Sequence, residues 1–257
     1  MRTRAERDGD DYVVNGQKVW MSLGDHADWL FVLVRTNPDP AAPKHRGITF
    51  LMVDVATPGV TVRPIEDLRG AAPFAEVFFE DARVPVANRI GDENRGFYVA
   101  MDTLTFERSG IGAVIKYEQV LRDLVAFVQA EPPALRPDWR TAVRDELAQR
   151  YVEVRVLYDL ARVTISQELS AEDGRETAVG YEASANQLFS AELHQRLART
   201  GAKVLGLQAQ RWAREGAPMG ALFTHLGLDA VAATFLAGTS EIQRNVVATR
   251  GLGLPRS

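Results

Sequence analysis

The chain contains no cysteine, which removes disulfides, thiolate nucleophiles and cysteine-ligated zinc together. Histidine is scarce: His26, His45, His194 and His225 are the full set. None stands at a metal-ligand spacing from another, so each is expected on the surface or in packing, with no metal implied. No apolar run approaches the about 20 residues that span a bilayer. The first residues, MRTRAERDGDDY, are too charged for a secretory leader. The net charge of −4 argues against nucleic acid or anionic membrane as a partner, since both attract a basic excess. The arginines at 140–150 alternate with acids, as on a solvated helix face. There is no Walker loop, no G-x-G-x-x-G after a strand and no G-x-S-x-G elbow. A cytoplasmic protein is expected.

What is present falls into two stretches of different period. At 257 residues the chain can form one large domain or two ordinary ones. Its first 90 residues read as strands. Residues 12–14, then Asn15-Gly16, then residues 17–22 predict a hairpin, because Asn-Gly supplies the two positive-φ positions of a type I′ turn. Further strands are predicted at 29–36, 47–55, 60–65 and 75–80, separated by turns containing Pro38, Pro40, Pro43, Pro58-Gly59, Gly70 and Pro73. Short strands so spaced suggest an antiparallel sheet or barrel.

The remainder has helical periodicity. Val143, Leu147, Tyr151, Val154, Tyr158, Ala161 and Ile165 advance in steps of three or four and draw one apolar stripe. A helix opening near Gly96 carries Phe97, Met101, Leu104, Ile111 and Ile115. Another, after Thr177, carries Phe189, Leu193 and Leu197, and a fourth runs from about Leu222 to Ala248. Breaks are expected at Pro132-Pro133, at 172–174 and at 216–218. The expected fold is α+β: a partial antiparallel β-barrel domain over 1–90, then a four-helix up-and-down bundle over 91–257.

Two short stretches offer chemistry. In Lys18-Val-Trp-Met-Ser22 the aromatic and the hydroxyl are two residues apart, hence on one face of a strand. That suits a flat heteroaromatic ligand, and equally a core Trp beside an incidental Ser. In Ala237-Gly-Thr-Ser-Glu-Ile-Gln-Arg244, Gly238-Thr239 could present free N–H groups to an anion. Thr239 or Ser240 with Glu241 or Gln243 fits an ordinary helix N-cap as well.

In order, NGQKVWMS (15–22), HRGITFLMVDVATPGVTVRPI (45–65), EVFFEDARVPVANRIGDENRGF (76–97) and GTSEIQRNVVATRGLGLP (238–255) resemble the acyl-CoA dehydrogenase family. The family fold is an N-terminal helical domain, a central β-barrel and a C-terminal four-helix bundle. The resemblance implies FAD held between barrel and bundle, commonly at a subunit interface, in homo- or hetero-oligomers, dimers or tetramers. It implies an acyl-CoA substrate desaturated at its α,β-bond, with an electron-transferring flavoprotein as a further partner. Trp20 falls at the family's flavin-packing position and Ser22 where a hydroxyl bonds near flavin N5. Thr239 and Glu241 fall where the family contacts FAD.

Three departures qualify the resemblance. The matching sequence starts inside the barrel, without the helical domain. The Arg-x-x-x-Phe-Gly motif that many members use on the adenosine pyrophosphate is missing, and 130–141 is Pro-rich instead. Many members carry their catalytic Glu just before Gly-Thr, where this chain has Ala237. Other members place the base on the first bundle helix in a Glu-Arg pair, which here is Glu107-Arg108. Glu107, at i+3 from Leu104 and i−4 from Ile111, is expected to face inward as the base. Arg108 is expected near the substrate. The expected function is flavin-dependent acyl-CoA dehydrogenation, by a fragment or by a subunit needing a partner. The alternative is a non-catalytic assembly subunit or remnant.

Overall fold

The computed structural model describes residues 1–107, 110–130, 137–172 and 181–255. The chain divides into two compact units, Met1–Thr105 and Phe106–Ser257.

The first unit is a seven-stranded sheet: β1 (Arg4–Asp8), β2 (Asp11–Ser22), β3 (Trp29–Arg35), β4 (Ile48–Asp54), β5 (Val60–Ile65), β6 (Phe74–Pro85) and β7 (Arg89–Ile90). Their order is β5-β6-β2-β1-β3-β4-β7. Among the described residues β5 and β7 remain edges, so the barrel is partial. Neighbours are antiparallel, except that β1 meets β3 in parallel through Arg4↔Arg35. The expected antiparallel sheet is therefore mixed. Strand alternation builds the core: Tyr12 and Val14 from β2, Leu30, Val32 and Val34 from β3, Leu51 and Val53 from β4, Val77, Phe79, Ala82 and Val84 from β6.

Asn15-Gly16 is not a hairpin turn. β2 continues through it, flanked by β1 on one side and β6 on the other, and the extra residue of a bulge lies on β6, where Glu80 and Asp81 together face Asn15. Gly16 has φ 133°. The Asn15 amide donates to Asp81 Oδ1 at 2.9 Å, and Asp81 N donates back to Asn15 Oδ1 at 3.0 Å. A strand with partners on both sides keeps more of its backbone hydrogen bonds by running on than by reversing. The actual hairpin joins β1 to β2 through Gly9-Asp10, with Asp8 opposite Asp11. Gly9 supplies the positive φ, 61°, that the tight turn demands.

The helix α1 (Gly96–Glu107) opens against β4. A Cβ on Gly96 would sit 2.2 Å from Phe50 N, so only glycine allows that approach. The helix expected to run from Gly96 through Ile115 is two helices. α1 ends at Glu107, and α2 (Ile111–Ala130) starts after Gly110 at φ 69°.

The second unit holds α2, α3 (Pro137–Glu172), α4 (Glu182–Leu205), α5 (Leu222–Ala232) and α6 (Ser240–Val246). Leu121, Leu124, Val154, Leu157, Ala161, Leu193, Leu197, Phe223 and Leu226 form its core. Two expectations need correction. The helix expected from Leu222 to Ala248 is interrupted: α5 stops at Ala232, and α6 begins at Ser240 after Ala237 and Gly238, both at positive φ. The expected stripe of α3 is largely in place, with Val143, Val154 and Ala161 buried and Leu147 and Tyr158 packed on the core, but it misses at Tyr151. Arg150, Leu157 and Thr164 face inward, whereas Tyr151 is 61% exposed. Of the expected breaks, 132–133 and 173–174 lie outside the described residues. Among the described residues no helix is long and apolar enough to cross a membrane.

One histidine is a core residue. His194 on α4 is 4% exposed, and its ring lies 5.2 Å from that of Tyr117. Nε2 has no hydrogen-bond partner among the described residues. Burial, and after it the Lys116 ammonium, lower its pKa from 6.5 to about 4, while Asp229 acts in the opposite sense. The unfolded chain therefore takes up this proton near pH 6.5 and the folded chain not until about 4. Stability from this group is complete above 6.5 and is lost as pH falls toward 4. At ~1.4 kcal/mol per unit the loss is on the order of 3 kcal/mol. Thermal melts between these pH values should show a steeper decline for the native protein than for His194→Gln. Parallel declines would assign the acid sensitivity to carboxylates such as Glu146, which Lys203 holds below its usual range.

Candidate functional site

β2 carries a bulge of its own at its far end. Lys18 pairs with Val77 and Met21 with Ala75, so Val19 and Trp20 together oppose one residue of β6. Trp20 has φ 65° and is 64% exposed. A left-handed backbone at a bulky residue costs on the order of 1–3 kcal/mol. The bulge turns the indole outward, edge-on to Phe74 with ring centroids 5.8 Å apart. Phe74 pairs with Ser22 across the strands, so Trp20 and Ser22 lie on one outer face. The Ser22 hydroxyl has no partner among the described residues, and Leu23, at φ 51°, is exposed beside it. Lys18 is half-buried on the opposite side, and burial lowers its pKa.

The second stretch opens α6. Thr239 is its N-cap, with φ −61° and ψ 152°, and its hydroxyl accepts from Ile242 N at 3.3 Å. The preceding turn is forced: Ala237 has φ 54° and Gly238 φ 100°. A Cβ on Gly238 would sit 2.4 Å from Gln243 Nε2. That amide instead donates to the Ala237 carbonyl at 3.1 Å. Glu241 lies exposed in the first turn, where a negative charge suits the helix dipole.

The structure brings Trp20 together with Ser22 and Thr239 together with Glu241; the pairs belong to different units. Glu107 ends α1, but its side chain lies outside the described residues, as does all of Arg108. Ile111 belongs to a separate helix after Gly110, so the single helix on which Glu107 and Ile111 were expected to share a face is divided. Phe74 went unnoticed in the sequence, and Gln243, expected only as part of an ordinary cap, closes the turn through the Ala237 carbonyl. The first depends on strand register and the second on a side chain folding back across its own cap.

The model of the acyl-CoA dehydrogenase middle domain matches residues 1–82, and that of the C-terminal domain matches residues 94–252. The chain belongs to the acyl-CoA dehydrogenase family. Among its curated relatives, acyl-CoA dehydrogenase IpdE1 of Mycobacterium tuberculosis is 36% identical over 99% of this chain and 62% of that protein. Acyl-CoA dehydrogenase FadE26 of the same organism is 34% identical over 100% of this chain and 64% of its own length. The solved Tcur3481-Tcur3483 steroid ACAD superposes with a TM-score of 0.85 at 30% identity, covering 100% of this chain and 64% of that one. The ChsE4-ChsE5 complex of Mycobacterium tuberculosis gives 0.82 at 33% identity, covering 100% and 65%. The chain spans somewhat under two thirds of the length of these relatives.

FAD is the cofactor typical of the family. An outward indole with an unengaged hydroxyl beside it fits a flat ring system with hydrogen-bonding edges. The strain at Trp20 has no return in core packing, since the ring is turned away from the core. At α6 the Thr239 oxygen already accepts a backbone N–H but keeps its own proton to donate.

Proposed function

We propose that this chain is the middle and C-terminal part of a flavin-dependent acyl-CoA dehydrogenase, acting with the remaining residues of the active enzyme or with a partner subunit. The observation that carries the reading is Trp20. A bulky residue held at positive φ, facing solvent beside a hydroxyl, is costly in a sheet without a ligand. Trp20 would pack on the flavin, Ser22 would hydrogen-bond near N5, and Thr239 and Glu241 would contact the cofactor from the bundle. When bound, FAD supplies the hydride acceptor for α,β-desaturation. Glu107 would remove the α-proton of the thioester, and Arg108 would lie near the substrate. Similarity to a steroid dehydrogenase and to a two-component complex supports a bulky, steroid-bearing acyl thioester and a heteromeric assembly. An electron-transferring flavoprotein would reoxidise the flavin.

The test uses the intact enzyme with FAD. Anaerobic mixing with steroid-side-chain and straight-chain acyl-CoA thioesters should bleach the oxidised flavin with the former and weakly or not at all with the latter. Trp20→Ala should weaken FAD binding about tenfold or more, read by flavin fluorescence. A protein that holds stoichiometric FAD yet is reduced by no thioester would favour a non-catalytic assembly subunit, which Ala237 in place of a carboxylate would also suit.

A further inference from the structure

The bundle contains a line of alternating charges that the proposed chemistry leaves unused. It begins on α3 at Arg150, 7% exposed, whose Nε lies 3.0 Å from Glu153 Oε2. The other Glu153 oxygen lies 3.0 Å from Arg196 Nε on α4. Arg196 Nη1 is 3.6 Å from Glu192 Oε2, one turn earlier. The other Glu192 oxygen takes Arg244 Nη2 of α6 at 2.5 Å. Five side chains from three helices therefore alternate in sign, and each carboxylate spends its two oxygens on two different guanidiniums.

The bland reading is a set of surface ion pairs, which contribute little one at a time. The outer pair is indeed partly solvated, with Arg244 54% and Glu192 38% exposed. Two features separate this line from that case. Its inner end is buried, so Glu153 cannot leave without stranding charge away from water. The Glu153 contacts at Nε are charge contacts off the hydrogen-bonding direction, so they set polarity more than fine geometry. The outer end grips a helix with few other attachments. α6 has seven residues, of which Ser240 alone is buried, and runs on through one π-helical turn at Val247–Gly251; a helix of this length is marginal by propensity alone. Its flanks are tied by Gln187 Nε2 donating to the Leu236 carbonyl at 3.3 Å and by Gly251 lying against the Tyr181 ring. Within the helix, Arg244 supplies the ion pair to α4. Its neighbour Gln243 closes the turn through the Ala237 carbonyl, so rotation of α6 moves that turn.

We propose that the line Arg150–Glu153–Arg196–Glu192–Arg244 is a positioning device that fixes α6 on α4, and with it the cap that presents Thr239 and Glu241. The role rests on reading Thr239 and Glu241 as cofactor contacts. Arg244 and Glu192 act through the turn and are not catalytic.

The experiment compares Glu192→Gln, Arg244→Gln, their double variant and Arg244→Lys in the intact enzyme, with Thr239→Ala as control. Three quantities are read: amide exchange over Ser240–Val246 in the apo protein, the FAD dissociation constant, and the global melting temperature. Each single Gln variant should speed exchange in α6 and weaken FAD about tenfold, with little change in melting. The double variant should be no worse than either single, because the partners share one interaction, and Arg244→Lys should recover part of the loss. Unchanged exchange in α6 would overturn the proposal, since other contacts would then hold the helix. Faster exchange with unchanged FAD affinity would also overturn it, and Thr239→Ala then locates the fault. If Thr239→Ala weakens FAD, the line does not position the cap. If Thr239→Ala is silent as well, it is the reading of α6 as a cofactor contact that fails.

Discussion

Glu107→Gln in the intact enzyme is expected to slow flavin reduction by at least about 100-fold while thioester binding survives. The α-proton of an acyl thioester is weakly acidic, and its removal needs a base held beside that carbon. Ala237 withdraws the carboxylate that many relatives carry before Gly-Thr, and an alanine methyl accepts no proton. Glu107 ends α1 and is followed in sequence by Arg108, the pair to which the family resemblance points for an alternative base. Gln keeps the shape and the hydrogen-bonding reach but not the basicity, so binding and chemistry should separate in stopped-flow traces. A carboxylate covered by substrate and flavin loses hydration, its pKa rises, and it becomes a stronger base. Near-native reduction by the Gln variant would place the base elsewhere, on a partner chain or the remaining residues of the enzyme.

Gly201→Ala should destabilise the helical unit by about 3 kcal/mol, at the upper end of the cost of overfilling a core. A Cβ on Gly201 of α4 would sit 2.0 Å from Phe223 Cδ1 and 2.1 Å from Cε1. Phe223 of α5 is 2% exposed, so its ring has no solvent to turn into. Alanine improves helix propensity by only about 1 kcal/mol, which does not offset the clash. Chemical denaturation should show the loss, and Phe223→Ala in the Gly201→Ala background should cost less than Phe223→Ala alone. A neutral Gly201→Ala would mean that α4 and α5 can separate slightly at no expense.

The family was legible because four ordered stretches carry it, and the fold class because period two gives way to period 3.6 along the chain. The strands of β3, β4 and β5 were legible for the same reason: alternating apolar residues between Pro and Gly turns leave one pairing pattern. Asn15-Gly16 misled because its preference for a type I′ turn is local, whereas β2 runs on through it and the extra residue of the bulge lies on β6. Whether the chain turns or runs on depends on whether β6 is available on the second side, and that is a long-range fact. The continuous helix through Ile115 failed at Gly110, a single residue whose positive φ local periodicity did not reveal.

The sequence by itself determined the fold class, the family and the identity of the outward aromatic and its hydroxyl, since these depend on residue type and local spacing. Only the tertiary structure decided that Trp20 is turned outward by a bulge, because bulges belong to the register between β2 and β6 and not to either strand. It also decided that Arg150, and not Tyr151, takes the inward place on α3. No hydrophobic pattern assigns arginine to a core stripe. Its charge becomes tolerable there because Glu153 lies one turn away and α4 brings Arg196 and Glu192 to continue the alternation. A buried charge is permitted by its partners, and partners on other helices exist only once the chain has folded.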